Sequence, residues 1–337
     1  MKMKYTAIIP AAGAGTRLKP LTHTIPKPMV HVAGKPIIGH ILDQMVGAVD
    51  RIVIVVGYMK EKLIDYVKKN YSDKFNLEFV EQKEQLGLGH SIWVTKDVIS
   101  NEPVLIALGD EIFERKYKEM LTICADEKYK EYAGLIGVKE VDNPGLYGII
   151  KLNKDEAIQK LIEKPKTSKS NLAAAGVYVI NNTRILFESL DEVIKGKGHG
   201  GEYQLTDALQ IMIERGAKLK TFKISKWYDC GRPEMLLNVN KILLKSSMVK
   251  GKTENCVVID PVIIEEECKV KNSVIGPYVS IAKGSKIKNS IIKNSIIGMN
   301  SEIAGIILKD SIVSAEAKVF GKEHRLYIGE NAEIDMK

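Results

Sequence analysis

The chain is poor in the features that mark several large function classes. It has four cysteines, Cys124, Cys230, Cys256 and Cys268, and no two of them stand as CxxC. That argues against a zinc site and against a disulfide framework. No uninterrupted apolar run approaches the ~20 residues of a membrane-spanning helix, and the N-terminus enters a strand-like segment without the apolar core of a secretory signal. A cytoplasmic protein is expected. Blocks of like charge are missing too: the net charge of +8 comes from 50 lysines and arginines interleaved with 42 acids. Such a pattern lacks a nucleic-acid footprint and reads as solvated surface. GxxxxGK[ST] is absent, so a Walker-type phosphate loop is excluded.

What is present divides the 337 residues into two parts with different patterning. Up to about Ser246, short apolar runs alternate with helical spacing. Thr6–Pro10, Arg51–Gly57, Leu77–Gln82 and Val104–Leu108 read as buried strands, and Pro36–Val49, Lys60–Asn70 and Gly89–Ile99 as helices. This alternation predicts a Rossmann-like α/β domain over residues 1–246, with a mostly parallel sheet covered on both faces. Ligands of such sheets collect beyond the carboxyl ends of the strands. After about Lys250, Ile275, Ile281, Ile287, Ile297 and Ile303 recur at near six-residue intervals among glycine, asparagine and small residues. A sustained repeat of this kind predicts a parallel β-helix over 247–337, short enough for only a few coils.

The first strand leads into Ala11-Ala12-Gly13-Ala14-Gly15-Thr16. Small residues let the backbone approach an anion and turn successive N–H groups toward it. The loop does not complete GxGxxG, because Leu18 stands at the third glycine. Alone it is a weak signal. Arg17 follows it directly, however, and Thr24-Ile25-Pro26-Lys27-Pro28-Met29 comes shortly after.

The pattern GxGTRLxPxT followed by PKPM resembles the signature of the NDP-sugar pyrophosphorylases, or sugar nucleotidyltransferases. The resemblance continues through GLGH at Gly87–His90, LGD at Leu108–Asp110, YGII at Tyr147–Ile150, EKP at Glu163–Pro165, GEYQLTDA at Gly201–Ala208 and WYDCGRPE at Trp227–Glu234. With NSVIGPYVSI and HRLYIGENAEI in its tail, the chain is similar to the long glucose-1-phosphate thymidylyltransferases, which carry a left-handed β-helix. The resemblance implies Mg²⁺-dependent transfer of a nucleotidyl group from dTTP or UTP to glucose 1-phosphate, with release of pyrophosphate. The attacking phosphate oxygen is already ionised at neutral pH, so the protein's task is charge neutralisation and in-line positioning rather than base catalysis.

The same resemblance implies roles for individual residues. Ala12, Gly13, Gly15, Thr16 and Arg17 would take the nucleotide, with Arg17 and Lys27 stabilising charge on the transferring and departing phosphates. Asp110 and Asp229, each at a strand end, would bind Mg²⁺ through hard carboxylate oxygens. Gln82 and Gly87 match positions that read a pyrimidine. Gly148, Glu163, Lys164 and Gly176 would hold the sugar phosphate. Glu111 departs from the thymidylyltransferase pattern, in which asparagine commonly follows LGD; a third carboxylate there either alters metal affinity or points to solvent. Ala174 stands where enzymes of N-acetylhexosamines often carry asparagine, which disfavours an N-acetyl sugar. QKEQLGLGH and IPAAG resemble the UTP-glucose-1-phosphate uridylyltransferases instead. Uracil and thymine differ by one methyl group, worth about 1 kcal/mol of apolar contact, so use of both UTP and dTTP is expected.

Two alternatives accompany this reading. An acetyltransferase activity in the β-helix would need a base, and His324 is the one histidine after residue 250. A silent regulatory relative would have no need to keep Arg17, Lys27, Asp110 and Asp229 together. The pairs among Ile291, Ile292, Ile296, Ile297, Ile306, Ile307 and Leu308 exceed the inward positions a coil offers. Some should face outward as an apolar patch that joins copies into a homo-oligomer. Phe320–Tyr327 breaks the repeat and is expected to cap its end.

Overall fold

In the computed structural model, which describes residues 5–196, 198 and 201–321, the apolar runs of the first part build one nine-stranded sheet. Strands β1 (Thr6–Pro10), β2 (Arg51–Val56), β3 (Asn76–Glu81) and β4 (Val104–Ala107) pair in parallel in the order β4-β1-β2-β3. Ile8, Ile9, Ile52 and Ile54 point to both faces and are fully buried. Only helices on both sides can satisfy that. Three of them connect these strands: α1 (Ile37–Met45), α2 (Lys60–Tyr71) and α3 (Leu88–Trp93). On α1, Ile37, Ile38, Ile41, Leu42 and Met45 all face the core, the i, i+4 stripe that its sequence spacing foretells.

Beyond β4 the sheet becomes antiparallel. After β5 (Glu111–Phe113) and α4 (Tyr117–Cys124) come β6 (Gly134–Glu140), β7 (Gly148–Leu152), β8 (Ile158–Glu163) and β9 (Leu172–Ile180). β9 lies antiparallel to β4, β6 and β7, and β8 is the edge beside β7. The link from β7 to β8, residues 153–157, is too short for a helical crossover, so these two strands must reverse; β9 meets its antiparallel neighbours through longer connections. Parallel pairing is therefore confined to β1–β4 and to β10 (Leu219–Lys223) beside β6. Helices α5 (Thr183–Lys195) and α6 (Leu205–Glu214) cover this half. A separate two-stranded ribbon joins β5 to β11 (Trp227–Asp229), antiparallel, with Glu111 opposite Asp229 and Phe113 opposite Trp227.

Helix α7 (Pro233–Leu243) then leads to a left-handed parallel β-helix of three ladders. Its asparagine corners Asn255, Asn272 and Asn289 recur at 17-residue spacing, all at positive φ, and their side chains hydrogen-bond one to the next at 3.0 and 3.2 Å. Asparagine tolerates the left-handed backbone that each corner requires. Ile275, Ile281, Ile287, Ile297 and Ile303 are all buried inside the coils, as their repeat predicts. Ile292 and Ile296 are buried as well, whereas Ile291 and Ile307 face outward. The expected cap over Phe320–Tyr327, and with it His324, lies outside the described residues except for Phe320 and Gly321.

By internal contacts the chain forms two compact units: one runs to Val30 and resumes over Lys35–Leu236, the other comprises His31–Gly34 and the chain from Leu237 onward. The second unit thus begins inside α7, ahead of the 246/247 boundary expected from patterning. Asn240 explains why. This fully buried amide accepts from Ala33 N at 2.9 Å and from Ser280 Oγ at 2.6 Å, and donates to Tyr278 O at 3.1 Å. It ties the end of α7 and the 31–34 turn to one coil of the β-helix. Asn240→Leu should lower stability by about 1–3 kcal/mol, because it strands the buried Ala33 N–H. The reading is an earlier urea midpoint for the β-helix transition; an unchanged midpoint would show that Asn240 is no anchor.

Candidate active site

The carboxyl end of β1 carries the loop that the sequence marks as a phosphate cradle. Ala11 N still donates to Val55 O, holding the chain in the sheet. At Gly15 the backbone turns left-handed, with φ +63, into a short 3₁₀ turn over Thr16–Leu18. A side chain there would sit 2.9 Å from Lys27 Cβ, so the glycine also lets the PKPM segment close against the loop. Leu18 is fully buried and anchors the turn, which leaves Arg17 exposed beside it. A cavity of about 260 Å³ opens here, lined by Gly13, Gly15, Thr16, Arg17, Lys27, Gly109, Asp110 and Gly231 among others. Gly13 has open space where its side chain would be. Ala12 does not line the cavity. It is buried, and its carbonyl accepts from Tyr58 N and Gln85 Nε2, both at 3.3 Å.

Asp110, just past β4, forms an ion pair with Lys27 in which the two side chains are only 27% and 12% exposed. Burial works against the Lys27 ammonium, but Asp110 more than offsets it, and the Lys27 pKa is raised. Asp229 closes β11. Its Oδ1 accepts from Gly231 N at 2.6 Å, and Cys230 N donates to Asp110 O at 3.0 Å, so the two aspartates are stitched together through the backbone. Burial, and then the neighbouring Asp110, push the Asp229 carboxyl up from its ordinary value. A carboxylate whose proton affinity is raised by burial and by a neighbouring carboxylate is a place where a divalent cation relieves repulsion. Among the described residues no group of three or more His, Cys, Asp or Glu side chains is placed to hold a metal. Two carboxylates leave an ion most of its positions for phosphate oxygens and water, a donor set that suits Mg²⁺.

Glu111 does not point to solvent. It is 7% exposed, its carboxylate accepts from Trp227 Nε1, and its Cγ lies beneath Gly176. Desolvation first, then Asp110 and Asp229, hold its pKa well above the carboxylate range. Gly176 itself has φ +71 and sits where the β9–β6 register breaks, between Ala174 and Tyr178. Any side chain there would meet Glu111 Cγ at 3.0 Å.

Gly148, Glu163 and Lys164 form a second group. Gly148 and Glu163 are paired across β7 and β8, and Glu163 Oε2 accepts from Thr206 Oγ1 at 3.1 Å. A side chain on Gly148 would strike Thr206 Cγ2 at 2.8 Å. Lys164 is exposed, with its Nζ 3.3 Å from Glu163 Oε1. Gln82 and Gly87 lie at the carboxyl end of β3. Gln82 is buried; its Nε2 donates to Gly87 O at 3.1 Å and lies 3.0 Å from His90 Nδ1. Gly87 has φ +96 and packs against Tyr203 O. Thr206 and Tyr203 belong to GEYQLTDA, and Tyr147 and Trp227 open the YGII and WYDCGRPE segments. The sequence flagged these segments but did not single out those side chains. A larger cavity of about 720 Å³ lies at the opposite strand ends, near Asn181 and Arg184. Its cations Lys130, Arg184, Arg215 and Lys218 are each paired to a glutamate, and it shares no residue with the phosphate loop.

Comparison with known proteins agrees with this geometry. A family model described as nucleotidyl transferase matches residues 6–246. The bifunctional protein GlmU of Methanococcus maripaludis is 38% identical over 96% of this chain, which spans 76% of that protein; the GlmU of Methanocaldococcus jannaschii is 40% identical over 77% of the chain and 60% of its own length. The UTP–glucose-1-phosphate uridylyltransferase AglF of Haloferax volcanii is 34% identical over 68% of this chain and 92% of its own. Among solved structures, a UDP-glucose pyrophosphorylase complexed with UDP-glucose superposes with a TM-score of 0.62 at 31% identity, covering 71% of this chain and 98% of its own. The chain belongs to the nucleotidyltransferase family, among the sugar nucleotidyltransferases or NDP-sugar pyrophosphorylases.

Proposed function

We propose that the chain transfers a pyrimidine nucleotidyl group, from UTP or dTTP, to glucose 1-phosphate and releases pyrophosphate. The observation that carries this reading is the single cavity bordered by the glycine loop, Arg17, Lys27 and Asp110. An oxygen of the sugar phosphate attacks the α-phosphorus, one P–O bond forms, and the bond to the bridging oxygen breaks as pyrophosphate leaves. Both partners are anions, so their approach needs fixed positive charge in a partly dry site. Lys27, kept charged by Asp110, faces one side of the bound phosphates and Arg17 the other. Backbone N–H groups around Gly13 and Gly15 take remaining phosphate oxygens. Asp110 and Asp229 would hold Mg²⁺, which when bound neutralises phosphate charge and fixes the triphosphate's shape.

With its amide nitrogen committed within the protein, Gln82 offers its Oε1 as an acceptor. Uracil and thymine carry the imide N–H that suits it, and cytosine does not. Glu163 accepts from sugar hydroxyls, Lys164 meets the sugar phosphate, and Gly148 and Gly176 keep the walls close. Ala174, buried within β9, brings no amide to an N-acetyl group. The likeness to a UTP–glucose-1-phosphate uridylyltransferase and a UDP-glucose pyrophosphorylase supports the glucose assignment. A second reading, acetyl transfer in the β-helix, is favoured by likeness to proteins named bifunctional over 96% of the chain.

The decisive assay measures pyrophosphate release across nucleotides and sugar 1-phosphates, with and without a magnesium chelator. UTP and dTTP should fall within about 1–2 kcal/mol of each other in kcat/KM, since one methyl separates them. Chelation should stop the reaction, and N-acetylglucosamine 1-phosphate should be a poor substrate. Efficient use of ATP or GTP would remove Gln82 and Gly87 as base readers. Preference for the N-acetyl sugar would overturn the glucose assignment.

The β-helix we assign to self-association. Val257, Val274, Ile291 and Ile307 align in register on one ladder, and three of them are 57%, 45% and 72% exposed. An uncharged aliphatic stripe of this kind on a surface marks an interface. The double substitution Ile291→Lys with Ile307→Lys should reduce the assembly to a smaller species by light scattering, with turnover retained. An unchanged mass would refute the interface.

A further inference from the structure

Glu111 is a buried acid that neither the phosphate cavity nor the metal pair uses. Its position follows from strand geometry. In the β5/β11 ribbon, Glu111 stands opposite Asp229 and Phe113 opposite Trp227, so Glu111 and Trp227 are diagonal neighbours on one face. Diagonal pairs lie within reach of long side chains. The Glu111 carboxylate takes the indole N–H of Trp227. Trp227 in turn meets Tyr147 edge to face, with ring centroids 5.0 Å apart and planes at 65°. Tyr147 immediately precedes Gly148, and its carbonyl accepts from Lys164 N at 3.0 Å. Lys164 is held there at φ +39, a left-handed backbone that a lysine adopts only under constraint.

A continuous line therefore runs from Glu111 through the Trp227 and Tyr147 rings to the paired ends of β7 and β8, where Gly148, Glu163 and Lys164 lie. Both rings are half-buried, whereas Glu111 has no other exit: Gly176 closes over its Cγ. A buried acid is costly unless it is hydrogen-bonded, and the Trp227 indole N–H supplies that bond to Glu111. We propose that Glu111 is a positioning residue, which fixes the Trp227 indole and, through Tyr147, sets the sugar-phosphate half of the site. This rests on the reading of that half as the place where glucose 1-phosphate binds. Glu111 would then govern affinity for the sugar more than the rate of phosphoryl chemistry, because the indole it holds meets Tyr147 and lines no part of the phosphate cavity.

Three variants test this. Glu111→Ala should raise the KM for glucose 1-phosphate by about tenfold or more and change the nucleotide KM and kcat by less than about threefold. Glu111→Gln keeps an oxygen that can accept the same indole N–H, and should restore the sugar KM to near the parent value. The chain has two tryptophans, Trp93 and Trp227. In a Trp93→Phe background, Trp227 is the sole emitter: Glu111→Ala should shift its emission to the red, and Glu111→Gln should reverse the shift. The fluorescence arm needs no turnover, so it decides the positioning even if the parent proves inactive on every sugar phosphate. Parent inactivity would count against the functional reading alone. An unshifted emission, or an unchanged sugar KM in a parent that turns over, would overturn the inference. So would a Glu111→Gln variant that matches Glu111→Ala in both readouts.

Discussion

The site depends on one arrangement of opposite charge: the Lys27 ammonium held against Asp110 in a cleft that largely excludes water. Neither group would be comfortable there alone, since burial of a single charge is penalised heavily. Together they bring two distant stretches of sequence to the mouth of β1 and β4. The glycine at position 15 permits this closure, because a side chain would occupy the space that Lys27 needs. Asp229 reaches the same place only because β11 pairs with β5 and aligns it with the residue after Asp110. Strand pairing, loop conformation and ion pairing thus specify the same point in space.

Much of this is legible from the sequence, for identifiable reasons. Buried parallel strands read as unbroken apolar runs, so β1, β2 and β4 stand out, and active-site loops follow their ends. The β-helix is legible because each coil repeats the same inward demand, and Ile275 through Ile303 meet it. Less visible is the antiparallel half. β6 to β9 carry no periodic mark that tells a reversal from a crossover, and the partners of β9 lie far from it in sequence. The hydrogen bonds of Ala12 were also hidden: its carbonyl accepts from Gln85 Nε2, a partner 73 residues away that no local pattern announces. Glu111 could be flagged as unusual but not located, because burial of an acid depends on a partner, Trp227, that lies 116 residues away.

The two units divide the work by the kinds of groups they display. The first gathers cations, carboxylates and close-packed glycines at the ends of strands, where the backbone offers N–H groups and side chains converge. The coils instead repeat apolar residues inward, with serine and asparagine at their corners. Ser290 N donates to Ser273 Oγ and Ser311 N to Ser295 Oγ, at 3.1 and 3.2 Å, so these side chains satisfy the backbone rather than a substrate. Buried polar groups with filled hydrogen-bond demands favour rigidity over chemistry.

The central claim is that fixed cations, not a protein nucleophile or base, supply the catalysis. Arg17 offers the cleanest test, because it is exposed and has no ion-pair partner among the described residues. Its removal should leave the fold untouched. The measurement is kcat of Arg17→Ala for pyrophosphate release from UTP and glucose 1-phosphate, alongside its thermal midpoint. The account predicts a loss of about two orders of magnitude or more in kcat with an unchanged midpoint. Turnover within a few-fold of the parent, in a variant that melts normally, would contradict it.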